Sequence, residues 1–145
     1  MEEMTFLVDT REKRPYTIPC SEKQKLDVGD YSLKGFTEIM SVERKSFDDL
    51  YNSLTTSLRR FKSQIRRLGK LKYKALIIDS TLSSILLGHV MCEMPGELAL
   101  RRLLALCADH DVPIFFADRH GDELVQALLA EWWRREERIE FQEGK

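Results

Sequence analysis

Glu43 and Lys45 stand two residues apart in the stretch Val42-Glu43-Arg44-Lys45-Ser46-Phe47-Asp48-Asp49-Leu50. A carboxylate beside an ammonium is a pairing that metal-assisted phosphate chemistry can use. The oxygens hold a hard cation, and the ammonium meets the negative charge that builds up on phosphorus-bound oxygen. Three charges in a row are also what an ordinary solvated strand end carries, and taken alone that is the simpler reading. Asp9 and Asp30 change the balance. Each falls in or at the end of a separate β-prone run, as Glu43 does, and three carboxylates on adjacent strands can converge at one sheet edge. Such a set suits Mg²⁺, or Mn²⁺ in its place, which would polarise a phosphoryl oxygen and help generate hydroxide. Glu12, three residues beyond Asp9, could join from a second layer or through a second metal.

The elements that must position these groups can be read from periodicity. Thr5-Phe6-Leu7-Val8 predicts a short strand ending at Asp9, and the proline-containing stretch 10–19 a loop. Leu26 to Leu33 alternates around Gly29 and predicts a strand with a bend or bulge. Thr37 to Glu43 predicts its antiparallel hairpin partner. Side chains alternate faces along a strand, so Glu43 and Lys45 point to one side and Arg44 to the other. Arg44 is then placed to anchor Asp49 or another acid from behind.

Ser46 or Asp48 caps a long helix whose apolar positions Phe47, Leu50, Leu54, Leu58, Phe61, Ile65 and Leu68 step by three or four up to Gly69. A polar stripe at helical spacing runs beside them through Asp49, Ser53, Thr56, Arg60, Gln64 and Arg67. The run Tyr73 to Asp79 predicts a buried parallel strand. Ser80 to Met94 is ambiguous, with Leu82 to Leu87 a candidate short helix, and Pro95-Gly96-Glu97 opens a helix running to about Ala108. Asp111 to Ala117 reads as a loop leading into another buried strand, followed by a last helix opened by Asp118 or Asp122 and running to about Ile139. Together these predict an α/β domain: a mixed central β-sheet flanked by helices on both faces.

Composition narrows the class. In 145 residues, 43% hydrophobic and 32% charged, there is room for one globular domain and one core. A net charge of −1 does not by itself announce a nucleic-acid partner, but the distribution does. From Leu50 to Ile78 there is no acid, while Arg59, Arg60, Lys62, Arg66, Arg67, Lys70, Lys72 and Lys74 all fall there. A local basic stripe is the footprint of phosphate binding. Cys20, Cys92 and Cys107 contain no CxxC and predict no disulfide framework. The opening Met1-Glu2-Glu3-Met4 lacks the apolar core of a secretory signal, and no run is long enough for a membrane span, so an intracellular protein is expected, in cytoplasm or nucleus according to organism.

At this point the sequence resembles a known family. Gly29-Asp30-Tyr31 followed by Glu43-Arg44-Lys45-Ser46-Phe47-Asp48-Asp49 is similar to the GD…ERKxxxD pattern of XPF-type nuclease domains, and Asp9-Thr10-Arg11-Glu12 to their opening DxRE segment. The motif-bearing likeness covers residues 5–79. It implies a restriction-endonuclease-like fold of the PD-(D/E)XK superfamily and a metal-dependent endonuclease acting on branched, flapped or junction DNA. It further implies Asp9, Asp30 and Glu43 as metal ligands, Lys45 as the catalytic lysine, and Glu12, Arg44 and Asp49 in support. Arg59, Arg60, Lys62, Gln64, Arg66 and Arg67 would lie toward the DNA. It also implies a homodimer through the nuclease domain, for which the helices near Leu98 to Leu106 and Leu124 to Trp133 offer surface. Trp132 and Trp133 are adjacent, so one of them is a candidate for exposure. Family members usually carry a helix-hairpin-helix module after the nuclease domain. Residues 1–145 read as a single nuclease domain without one.

Two other readings stay open on sequence. The same fold and basic stripe could serve a DNA-binding or partner-binding module without turnover. His89 with Cys92 and Cys107 with His110, each pair at three-residue spacing, could ligate Zn²⁺.

Overall fold

The computed structural model describes residues 4–144. The acidic opening Met1-Glu2-Glu3, read above as lacking a secretory signal, lies outside the described residues. Six strands, β1 (Phe6–Val8), β2 (Ser21–Lys23), β3 (Tyr31–Leu33), β4 (Met40–Ser46), β5 (Tyr73–Asp79) and β6 (Ile114–Phe116), form one sheet in the order β2-β1-β3-β4-β5-β6. The β1–β3 and β3–β4 pairs are antiparallel, and β1–β2, β4–β5 and β5–β6 are parallel. Among the described residues there are also five helices: α1 (Phe47–Leu54), α2 (Leu58–Gly69), α3 (Leu82–Leu87), α4 (Gly96–Asp109) and α5 (Gly121–Glu143).

The period-two alternation of the central strands divides the core into two. Leu76 and Ile78 of β5 pack beneath α1 to α4 with Leu50, Leu54, Phe61, Ile65 and Leu103. Ile77 of β5, with Met40 and Val42 of β4, packs on the opposite face against Val125 and Leu129 of α5. The mixed sheet with helices on both faces is thus as expected. No helix among the described residues is long and apolar enough to cross a membrane.

Several elements differ from the sequence reading. The single long helix is two. The chain breaks at Thr55, where φ is −122° and ψ −93°. There the Thr55 hydroxyl donates to the Tyr51 carbonyl at 2.8 Å, and the backbone N–H groups of Thr55 and Ser57 both turn to the Asn52 carbonyl. Three consecutive hydroxyl residues, Thr55-Thr56-Ser57, offer the backbone local bonds that compete with the helical ladder. The strand expected over Leu26 to Leu33 is reduced to Tyr31–Leu33, because the chain bends at Gly29. The edge strand Ser21–Lys23, exposed throughout, carries no hydrophobic alternation and was not predicted. Strand β6 is half-buried rather than buried, as its edge position in the sheet explains. Helix α5 starts after His120, and no side chain caps it.

Gly29 is required where it stands. Its φ is +76°, and a Cβ there would lie 2.0 Å from Ser41 Oγ. The Ser41 hydroxyl in turn donates to the carbonyls of Val28 and Tyr31, locking the bend beside Asp30. Gly29→Ala is therefore expected to cost about 2–4 kcal/mol, combining left-handed strain with a forced shift of β4. Urea denaturation measures it, and a loss below 0.5 kcal/mol would show that the bend is not constrained.

Candidate active site

Glu43 and Lys45 leave β4 on the α1–α2 face, and Arg44 leaves it on the α5 face, as alternation requires. Seven residues of parallel register with β5 hold this strand end rigid. Ser46 caps α1 through its hydroxyl, which accepts from the Asp49 N–H at 3.1 Å. The first helical turn is thereby fixed directly after the Glu-Arg-Lys run.

On the α1–α2 face a polar cavity of about 220 Å³ opens. Asp9, Glu12, Asp30, Glu43, Lys45, Asp49, Arg60, Gln64 and Arg67 are among the residues that line it. The sequence-predicted ligands, the lysine and the supporting acids therefore meet in one place. Three of the six predicted DNA-facing residues, Arg60, Gln64 and Arg67, meet there too. The other three, Arg59, Lys62 and Arg66, line a separate groove. Within the polar stripe Ser53 is buried and Thr56 falls in the helix break, so only its two ends reach the cavity.

The electrostatics of the acids are unequal. Asp9 is buried, which alone would raise its pKa. Its oxygens are nevertheless held by the Arg11 guanidinium at 2.8 Å and the Leu26 N–H at 2.8 Å, and the net effect lies below the usual carboxylate range. Asp30 is different. Burial, then the charges of Glu43 and Glu12, push it well above that range, against the Arg44 backbone N–H that donates to it at 2.8 Å. Glu43 is raised chiefly by burial, with the charge of Lys45 and a hydrogen bond from the neighbouring Asp30 pulling the other way. Lys45 Nζ stands 3.7 Å from Glu43, donates to Gln64 Oε1 at 3.3 Å, and lies 5.2 Å from the centre of the Phe61 ring. Gln64 thus points the ammonium along the cavity instead of letting it collapse onto Glu43.

Asp30 and Glu43 suit a hard divalent cation: they are neighbouring carboxylates, Glu43 buried and Asp30 half-buried, and both are raised above the ordinary carboxylate range. Asp9 faces the same cavity with its oxygens already engaged. Among the described residues no three His, Cys, Asp or Glu side chains are drawn together as a ligand group. Binding that recruited Asp9 would have to exchange its Arg11 contact.

Arg44 does not touch Asp49. Its Nε donates to Asp79 at 2.6 Å, and its Nη1 donates to Glu12 at 3.2 Å and to the Arg14 carbonyl at 2.6 Å. The Tyr16 ring lies 3.9 Å from the guanidinium, and the Tyr16 hydroxyl donates to Asp79. The acid anchored from behind is therefore Asp79, with Glu12. The sequence reading gave no site role to Asp79 or Tyr16, and none to Tyr31 beyond its place in the Gly29-Asp30-Tyr31 motif. Asp79 could have been found by extending the β5 alternation from Ile77, which puts it on the Arg44 face. Tyr16, in an irregular loop, carries no such signal. Gly121 opens the space for it, since a Cβ there would lie 2.0 Å from the Tyr16 hydroxyl oxygen.

The zinc arrangement is not formed. Both His89 nitrogens are engaged, Nε2 with Asp48 at 2.7 Å and Nδ1 with the Met91 N–H at 3.0 Å. Burial pushes the Cys107 thiol up to about 12, which disfavours the thiolate a metal needs. Neither tryptophan is exposed: both are half-buried against the α5-side core, Trp132 stacked on Tyr73. Exposed apolar side chains include Leu98 and Leu104 on α4, Leu87, Val90 and Met91 before it, and Phe141 near the end of α5.

A family model described as the ERCC4 domain matches residues 8–122. Among solved structures the chain is similar to XPF from Aeropyrum pernix, with a TM-score of 0.68 at 19% identity, over 95% of this chain and 69% of that one. It is likewise similar to XPF from Aeropyrum pernix in complex with DNA, with a TM-score of 0.68 at 18% identity, over 92% of this chain and 66% of that one. No curated protein matches.

Proposed function

The chain belongs to the ERCC4 domain family, and from that premise we propose that it is a metal-dependent endonuclease that hydrolyses phosphodiester bonds in branched, flapped or junction DNA. The observation that carries this reading is the Asp30–Glu43 pair with Lys45 held beside it by Gln64, in a cavity rimmed by Arg60 and Arg67. That the similar Aeropyrum pernix protein was solved with DNA agrees with the choice of substrate.

Asp30 and Glu43, joined by Asp9, would hold Mg²⁺ or Mn²⁺. When bound there, the ion supplies Lewis acidity toward a phosphoryl oxygen and lowers the pKa of water. The protein's own groups supply the rest. Arg60 and Arg67 bind phosphates and bring the strand across the cavity mouth. Lys45, aimed by Gln64, presents a localised positive charge where negative charge develops on the phosphorus-bound oxygens, or orients the attacking water. Phe61 beneath it excludes solvent from one side. Arg44 touches no substrate in this scheme. It holds Glu12 at the cavity wall through its side chain and Asp30 through its backbone N–H.

One feature favours a second reading. Asp9 is bound to Arg11 and Leu26, so the ligand set is not gathered, as in a module that grips DNA without cutting it. Incubating the clean protein with fork, flap and Holliday-junction DNA and Mg²⁺ separates the two. Cleavage that disappears in Glu43→Ala is expected. Binding without cleavage of any substrate, unaffected by Glu43→Ala, would favour the non-catalytic module. Self-association through the domain belongs to the same proposal, and light scattering giving a monomer mass at high concentration would count against it.

A further inference from the structure

We propose that Arg59, Lys62 and Arg66 form a second phosphate-binding track on α2, which holds a DNA strand other than the one presented to the acidic cavity. This rests on the nuclease reading of that cavity and deepens it. A helix turns about 100° per residue, so the stripe 59–62–66 lies about a third of a turn from the stripe 60–64–67. The two stripes open onto different surfaces. Arg60, Gln64 and Arg67 line the acidic cavity. Arg59, Lys62 and Arg66 line a groove of about 700 Å³ between α2 and the C-terminal end of α4, floored by Leu58 and Leu106.

The three cations are exposed and form no hydrogen bond or ion pair among the described residues. The side chains of Arg60 and Lys70 are likewise unpaired among the described residues, whereas the remaining basic residues of the acid-free span are engaged. Arg67 is tied to the Asp27 carbonyl, Lys72 to Glu136, and Lys74 to the carbonyls of Gly69 and Leu71. Among the described residues Asp109 is the one carboxylate lining the groove, against three positive charges. From residue 59 to 66 the stripe is about 10 Å long, roughly the span of three phosphates along one strand. A helix with its side chains is about 10–12 Å across. One backbone therefore cannot follow both flanks of α2, whereas two strands of a duplex, or two arms at a branch, can lie one on each side.

Fluorescence anisotropy with the full chain tests this, using a single-stranded oligonucleotide, a blunt duplex containing it and a flap made from it. The Arg59→Ala/Lys62→Ala/Arg66→Ala variant is expected to lose at least about tenfold in affinity for duplex and flap near 0.1 M salt. Its salt slope for duplex should flatten by about 2.7, at 0.9 per lost phosphate contact, while single-strand affinity changes less than about threefold. Arg59→Lys/Arg66→Lys should keep the slope, and Arg101→Ala/Arg119→Ala/Arg138→Ala, an equal charge change elsewhere, should leave all three affinities in place. Equal losses on single strand and duplex would overturn the proposal by assigning both stripes to one strand. So would a loss matched by the control variant, or a triple variant indistinguishable from wild type while DNA is still bound and cut. Wild type that bound no DNA would fail the nuclease reading and this one with it.

Discussion

Glu43→Gln is expected to abolish divalent-dependent cleavage, by about a thousandfold or more, and at the same time to stabilise the metal-free protein. Both effects come from one arrangement. Asp30 is half-buried beside the buried Glu43, and both are raised above the ordinary carboxylate range, first by their removal from solvent and then, for Asp30, by the charge of its neighbour. The unfolded chain releases these protons near the ordinary values, so between those and the raised folded values the native state binds more protons. Stability of the metal-free protein must then fall as pH rises through the pair's folded range. Replacing one carboxylate by an amide removes the repulsion, worth about 1–2 kcal/mol at neutral pH. Mg²⁺ should restore the wild type by binding only the folded state, about 2.7 kcal/mol at a hundred times its Kd, and should leave Glu43→Gln unmoved. Urea titrations across pH, with and without Mg²⁺, read all of this. Equal stability of the two proteins without metal would show that the pair is not a charge held in reserve for a cation.

The second large effect lies behind the cavity. Arg44→Ala should cost about 3–5 kcal/mol, the scale for removing one partner of a buried ionic network. Arg44, Glu12 and Asp79 are each less than one-fifth exposed, and Arg44 bonds both acids, the Arg14 carbonyl and the Tyr31 hydroxyl, beneath the Tyr16 ring. Its loss leaves two carboxylates without their cation. Arg44→Lys should recover little, because an ammonium cannot reproduce the planar fork or stack on Tyr16. Tyr16→Phe, which removes only the hydroxyl donated to Asp79, should cost about 1 kcal/mol. Denaturation midpoints order the three variants. Arg44→Ala within 1 kcal/mol of wild type would mean that the network does not hold the loop and strand together.

The centre of the site was legible in the sequence because a strand has a fixed period of two. From Glu43-Arg44-Lys45 alone, alternation separates the acid and ammonium from the guanidinium, and the structure has that separation. The sheet class and five of its six strands follow from the same periodicity. What was not legible depended on competition or on distant register. The apolar period from Phe47 to Leu68 continues across Thr55 to Ser57, so nothing in the pattern marks the break that local hydroxyl bonds impose. Strand β2 is held by backbone pairing to β1 with charged, exposed side chains, which leaves no hydrophobic trace. Asp79 becomes Arg44's partner only through the parallel register of β4 and β5. Tyr16 reaches it from a proline-flanked loop through space that Gly121, more than a hundred residues later, leaves open. The His/Cys spacing suggested a metal site that the fold does not form, because Cys107 is packed into α4's buried face.

The most direct test of the central claim is single-turnover cleavage of a labelled flap substrate in Mg²⁺, comparing wild type with Lys45→Ala at equal fractional occupancy of DNA. The ammonium held between Glu43 and Gln64 should matter to the chemical step and little to binding. The predicted result is cleavage by wild type, with the rate lowered at least about a hundredfold in Lys45→Ala and affinity within about threefold. Equal rates for the two proteins, or no cleavage by wild type of any branched substrate, would contradict it.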